Sequence, residues 1–270
     1  MSTPAKTIPT WIFFSLITNC ILILAVILLW RKQEMTAFLG TMSPSQQTVT
    51  PQLGQRHKLS YRQWVEILKV EAKVATVKRP QHLTILAGDS LSLWFPIELL
   101  PEGRSWLNQG ISGETSAGLL KRLNLFERTN PETIFVMIGI NDLTRGVSDE
   151  ILLDNQRQIM RSLCRMHPNT QIVIQSILPH AGNKATWEGK EKLLAVPNSR
   201  IRRLNQQLQQ IAALEGVKYL NLHPLFTNRE GEIRPELSTD GLHLSSQGYL
   251  VWSSALQLYS QMELENRNAK

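Results

Sequence analysis

The sequence predicts an α/β protein. We expect a three-layer sandwich, a mostly parallel five-stranded sheet with helices on both faces, preceded by one transmembrane helix. Three observations predict this. From residue 80 onward, short apolar runs alternate with amphipathic helical patterns, which is how parallel strands joined by crossover helices read in sequence. One uncharged apolar run lies near the N-terminus. The chain of 270 residues is 42% hydrophobic and 19% charged, which excludes a wholly disordered polypeptide.

The first element is the run from Trp11 to Trp30. No charge occurs between Thr7 and Trp30, and Arg31-Lys32 stop the run. A helix needs about 20 apolar residues to cross the hydrocarbon layer, and the indole rings of Trp11 and Trp30 suit its two interfaces. A cleaved signal peptide would have an apolar core of about 7–15 residues ending in small ones. Residues 1–34 therefore read as an uncleaved, single-pass membrane anchor. Lys6 and the amino terminus on one side nearly balance Arg31 and Lys32 on the other, so the charges do not fix which side carries the rest of the chain. Residues 35–56 are rich in Thr, Ser, Gln and Pro and read as a flexible linker. Over 57–79 a basic amphipathic helix is expected. Tyr61, Trp64, Val65, Leu68, Ala72 and Ala75 recur at helical spacing, Arg62, Glu66, Lys69 and Lys73 form a second stripe, and Pro80 ends it.

The α/β part spans 80–262, with 263–270 a polar tail. Strands are expected at His82–Ala87, Thr133–Ile138, Gln171–Leu178 and Val217–Leu222, with a weaker one around Ser105–Asn108. Helices are expected at Ser116–Arg128, Asp149–Met166, Asn198–Glu215 and Ser246–Met262. The stretch Pro179–Pro197 is long for a strand-to-helix connection and admits two readings, a lid over a site or a plain surface insertion.

Net charge is +7, which in principle suits nucleic acid or anionic lipid. No zinc-finger spacing, RNA-binding aromatic motif or dense Arg/Lys block accompanies it, so a mildly basic solvated surface is the reading and no nucleic-acid partner is expected. The two cysteines, Cys20 and Cys164, form no disulfide framework. With no CxxC or HExxH, no metal site is expected.

Ligand sites of such sheets form at the carboxyl ends of the strands, and four segments there carry chemistry. The first strand runs into Gly88-Asp89-Ser90-Leu91, where a tight turn can expose the Ser90 hydroxyl. The strand at Thr133–Ile138 runs into Gly139-Ile140-Asn141-Asp142, bringing a carboxamide donor to the same edge. The weak strand is followed by Gly110, whose N–H is unshielded by a side chain. Asp240-Gly241-Leu242-His243 precedes the last helix, with a carboxylate three residues from an imidazole, close enough to hold its Nδ1–H and leave Nε2 as a base. Each segment alone is also what an ordinary turn or helix cap contains. Taken in order at one sheet edge, they read as a nucleophile, two oxyanion donors, and a base with its orienting acid. No G-x-S-x-G elbow is present, so the α/β-hydrolase signature is missing. Trp94 and His180 are candidate substrate contacts. His223 reads as structural and Asp142 as a helix cap.

Together, Gly88-Asp89-Ser90-Leu91, Gly110, Gly139-x-Asn141-Asp142 and Asp240-x-x-His243 resemble the GDSL or SGNH hydrolase family over roughly residues 80–262. Asn108–Thr115 and Asn198–Asn205 are similar to its branch of platelet-activating-factor acetylhydrolase subunits. The resemblance implies a flavodoxin-like sheet, Ser90 as nucleophile, His243 as general base and Asp240 as its orienter. It implies an oxyanion hole made by the N–H groups of Ser90 and Gly110 and the side chain of Asn141, with no cofactor. The expectation is a membrane-anchored serine esterase acting on a lipid or small acyl ester. A glycan O-acyl esterase or transferase, and a non-catalytic anchored binding module of the same fold, remain alternatives.

Overall fold

A computed structural model describes residues 59–264. The expected anchor at 1–34, the linker at 35–56 and the tail from 265 lie outside the described residues. Among the described residues no helix is long and apolar enough to cross a membrane.

The first helix, α1 (Tyr61–Lys78), starts on a capping box. Ser60 accepts from Gln63 N–H while the Gln63 side chain returns to the Ser60 N–H. It ends at Arg79, which is left-handed at φ 45°, one residue before the proline that the sequence marks as the stop. Five strands follow: β1 (Leu83–Gly88), β2 (Ser105–Gly110), β3 (Thr133–Met137), β4 (Gln171–Gln175) and β5 (Lys218–Leu220). All four pairings are parallel, in the order β2-β1-β3-β4-β5. That order is the flavodoxin-like one. β1 and β3 are buried along their whole length, as expected for central strands covered on both faces.

Between the strands lie α2 (Ser90–Leu93), α3 (Ser116–Arg122), α4 (Ile140–Thr144), α5 (Asp149–Met166), α6 (Lys190–Leu194) and α7 (Asn198–Leu214); α8 (His223–Phe226) follows β5, and α9 (Ser246–Tyr259) closes the fold. The expected helix at 149–166 has those bounds, with Ser148 capping its N–H groups and Asp149 and Glu150 in its first turn. The expected helix at 116–128 is shorter. It breaks at Arg122 into a 3-10 turn, Leu123–Phe126. Strand β5 is also shorter than its apolar pattern, and β2 is longer, reaching Gly110.

Alternate residues of β1 enter two different cores. Ile85 and Ala87 join a core with residues of α1, α3, α5 and α7. Leu86 joins one with Trp252 and Leu256 of α9. Both faces are thus covered, one by long helices and the other mainly by α9. The register brings Gly88 beside Gly110 on one side and Met137 on the other. The three loops leaving those residues therefore start at one point on the sheet's carboxyl edge.

Candidate active site

Ser90 is the first residue of α2, immediately after β1. Asp89 caps the helix, its carboxylate accepting from Leu91 N–H at 3.0 Å. As first residue of a helix, Ser90 has an N–H with no intrahelical acceptor. Asn141 sits in the first turn of α4, and its Nδ2 is buried with no hydrogen-bond partner. A buried donor without an acceptor is expensive in a folded protein and is what an oxyanion site requires before substrate arrives.

The neighbouring Asp142 holds α4 in place. It accepts from the backbone N–H of Ser116 at 2.8 Å and from its hydroxyl at 2.5 Å, and Asn155 donates to the same hydroxyl. Asp142 is thus a cap, as the sequence suggests, but for α3 rather than for its own helix. Burial pushes its carboxyl up, and the Ser116 bonds oppose that.

Asp240 and His243 form the third part. Asp240 Oδ1 accepts from the N–H groups of Leu242 and His243 at 2.9 and 2.7 Å, and Oδ2 meets His243 Nδ1 at 2.7 Å. Burial raises the Asp240 carboxyl, but the bonds from the His243 ring, the His243 N–H and the Leu242 N–H outweigh it and hold the group below its ordinary value. An ionised carboxylate offers only lone pairs, so the proton sits on His243 Nδ1 and Nε2 carries the free lone pair.

Two contacts tie this turn and the helix after it to the Ser90 helix. The ring of Trp94, at the C-terminal cap of α2, lies 4.4 Å from that of His243 between centroids. Tyr249 of α9 donates to the Leu91 carbonyl at 3.1 Å. No hydrogen bond joins the Ser90 hydroxyl to His243 among the described residues. Such bonds commonly tighten only when substrate binds.

Gly110 has a partner within its own strand. Its N–H donates to Asn108 Oδ1 at 2.9 Å, so it is already engaged. A Cβ here would lie 2.4 Å from Leu93 N, so the glycine is required by the close approach of α2 to β2. Asn108, in turn, donates from Nδ2 to the Ser92 carbonyl at 2.6 Å and clamps the two together. His180 departs from its expected role. It is 2% exposed. Its Nδ1 accepts from Gly182 N–H and its Nε2 donates to the Val196 carbonyl at 2.6 Å. With both nitrogens committed to backbone, it holds a loop and has none left for substrate. Trp94 is at the site, against His243.

Sequence reasoning missed Arg122. Its Nε pairs with Glu114 at 2.7 Å, and Nη2 donates to the carbonyls of Gln109 and Gly88 at 2.9 and 3.3 Å. One buried guanidinium thus holds the carboxyl ends of β1 and β2 beside Ser90. The available signal was a charge within the apolar stripe Leu119, Leu123, Phe126.

Behind these groups lies a small recess, with room for little more than a water-sized group, lined by Met137, Ile138, Ile140, Ile177, Leu178 and Leu242, with Asp89 as its one acid. Its walls adjoin Ser90, Asn141 and His243 in the chain.

A family model, the GDSL-like lipase/acylhydrolase family, matches residues 80–251. N-acylneuraminate cytidylyltransferase of Streptococcus agalactiae serotype V is 25% identical over 175 residues, 65% of this chain and 38% of that protein. The chain thus spans well under half the length of that curated relative. Isoamyl acetate-hydrolyzing esterase of Saccharomyces cerevisiae is 28% identical over 162 residues, 56% of this chain and 66% of that enzyme. Among solved structures, a chain from Streptococcus pneumonia, provisionally described as a platelet activating factor, superposes with a TM-score of 0.66 at 27% identity. The match covers 73% of this chain and 93% of that one.

Proposed function

Because the chain belongs to the GDSL-like lipase/acylhydrolase family, we propose that it is a serine esterase that cleaves short acyl esters, held at a membrane by residues 11–30. Ser90 Oγ attacks the ester carbonyl while His243 Nε2 takes its proton. Asp240 keeps the ring in the required tautomer and stabilises the imidazolium that forms. The tetrahedral oxyanion accepts from Asn141 Nδ2 and the Ser90 N–H, and from the Gly110 N–H once that donor releases Asn108. His243 then protonates the leaving alcohol, and water, activated by the same ring, cleaves the acyl-enzyme and restores the Ser90 hydroxyl.

The observation that carries this reading is the Asp240 Oδ2–His243 Nδ1 bond of 2.7 Å, formed against the ring of a residue four places beyond Ser90. The apolar recess is the place for the acyl group, with Trp94 a contact for the substrate beside His243. A second reading, a sugar as the alcohol half, draws support from the relative named for N-acylneuraminate. In that case transfer of the acyl group to a glycan is the variant to be separated by product analysis.

The test is hydrolysis of p-nitrophenyl acetate by the wild type, Ser90→Ala and Asn141→Ala. Ser90→Ala is expected to lose nearly all activity, and Asn141→Ala about 10²–10³-fold in kcat, with unchanged circular dichroism. Wild-type turnover by Ser90→Ala refutes the assignment of Ser90 as nucleophile, and no turnover by the wild type itself leaves a non-catalytic binding module as the better account.

A further inference from the structure

The outward side of α1 carries an apolar stripe that the domain does not use. Trp64, Leu68, Ala72 and Ala75 are the buried side. Away from them, Ile67, Val70, Val74 and Val77 recur at intervals of three and four residues and are 37%, 59%, 45% and 77% exposed. That spacing places them on one face. Valine and isoleucine are not strong helix formers, so helix propensity gives no reason for four of them in solvent. A contiguous stripe differs from the single exposed apolar residues that any surface carries.

Charge tells what the stripe meets. At 100° per residue, Lys73 and Glu66 lie along one margin with Arg62 and Lys69 behind them, and Lys78 and Glu71 lie along the other. From Tyr61 to Arg79 the five basic residues against Glu66 and Glu71 leave a net +3. An apolar stripe between lysines whose stems can extend toward headgroups is the pattern of a helix lying in a bilayer interface. Pairing the stripe with a second copy would bring together two helices that each carry a net +3.

We propose that α1 docks on anionic lipid, with Ile67, Val70, Val74 and Val77 below the phosphates and Lys73 and Lys78 among them. The inference rests on the reading of residues 11–30 as a membrane anchor, which ends about 30 residues before Tyr61 in the chain. It adds a second, electrostatic contact through the catalytic domain itself.

The test uses the full chain with Cys20→Ser and Cys164→Ala, adding either Val74→Cys or Leu214→Cys. Leu214 is 81% exposed at the end of α7, which packs along β5, whereas α1 packs along β2 at the opposite edge of the sheet. Each introduced thiol is labelled with a bimane and the protein is reconstituted into phosphatidylcholine vesicles containing nitroxide lipids, with or without phosphatidylglycerol. Quenching at position 74 is expected to exceed that at position 214 by about twofold or more in the anionic vesicles. The excess should fall with added salt and in Lys73→Glu/Lys78→Glu. Equal quenching at the two positions, in protein that stays with the vesicles through a carbonate wash, overturns the docking and spares the anchor. Loss of the chain in the wash overturns both. Disulfide crosslinking between two unlabelled copies of the Val74→Cys chain, with no quenching of the labelled one, overturns it in favour of self-association.

Discussion

Asp89 is 1% exposed and accepts one hydrogen bond, from Leu91 N–H. Its burial follows from its position. The turn that presents Ser90 at the sheet edge turns the preceding residue inward, where it serves as helix cap. Loss of hydration pushes its carboxyl up to about 7, against the opposing pull of the Leu91 bond and of His243, with Asp142 and Glu114 adding to the rise. The folded state therefore keeps a proton that the unfolded chain releases near the ordinary carboxylate value of about 3.9. Between that value and about 7, unfolding releases a proton, so stability falls as pH rises through this window and levels off above it. Asp142, also raised by burial, acts in the same direction. Asp89→Asn retains an acceptor oxygen for Leu91 and cannot ionise. Its melting temperature relative to wild type is expected to climb between pH 5 and pH 8. Parallel melting curves across that range would assign the slope to other groups. This carboxyl was legible in the sequence only as a turn residue, because nothing in Gly-Asp-Ser-Leu says that the aspartate enters the core. Ser90, Asn141, Asp240 and His243 were more legible, since each follows directly from where a strand ends or a helix begins. The partners of Gly110 and His180 were not legible, for a shared reason. Which atoms a side chain or N–H finally meets depends on partners distant in sequence, Asn108 and α2 for one, Gly182 and Val196 for the other.

Among the elements, the insertion Pro179–Pro197 resolves the two readings that the sequence left open for it. It supports a turn of the site. Ala181 N–H donates to the Gly241 carbonyl, and the N–H groups of Thr186 and Trp187 both donate to the Asp240 carbonyl, at 2.9, 2.8 and 3.0 Å. The backbone of the residue that orients His243 is therefore fixed by a segment whose length had suggested a lid. Gly241 is at φ 90°, and a Cβ on it would lie 2.7 Å from Ala185 Cα and Cβ. Gly241→Ala must both strain the backbone and push the Asp240–His243 turn off the insertion. It is expected to lower kcat on p-nitrophenyl acetate by about tenfold or more with little change in KM, because transition-state geometry is lost and ground-state binding is not. Gly216→Ala supplies the control. It has φ 70° with open space around its Cβ, so it is expected to lower the melting temperature while kcat is retained. Equal kcat losses in both would mean that strain alone, and not the turn, is responsible. Helix boundaries show the same division between local and distant causes. Asp149–Met166 was legible to the residue because its serine cap, acidic first turn and apolar period are all local. The helix after Ser116 stops early at Arg122, where a guanidinium turns inward to the carbonyls of Gly88 and Gln109, a destination that no local pattern encodes.

At the scale of the whole molecule, the parallel sheet limits what the site can accept. β1, β3 and the segment after β4 converge on the recess, whose walls are the buried side chains Met137, Ile138, Ile140, Ile177, Leu178 and Leu242. Its depth is bounded by the ends of central strands, which cannot retreat without breaking ladder hydrogen bonds, and close-packed interiors yield little to an overlong ligand. An acyl chain that fits gains roughly 0.8 kcal/mol for each methylene it buries, whereas one that exceeds the recess must leave methylenes in water or displace core residues. The p-nitrophenyl ester series from acetate through butyrate to octanoate is therefore expected to show kcat/KM greatest at the short end. Octanoate should fall by about tenfold or more, the equivalent of about 1.4 kcal/mol in transition-state binding. Ile177→Ala, which shortens one wall at a site beyond β4, is expected to move the optimum toward butyrate, with a stability loss of about 2–5 kcal/mol from the cavity it leaves. A wild-type preference for octanoate would place the acyl chain outside this recess. The surface around Trp94 would then be the place to examine, and Trp94→Ala the variant that separates the two, because Trp94 is not among the walls of the recess.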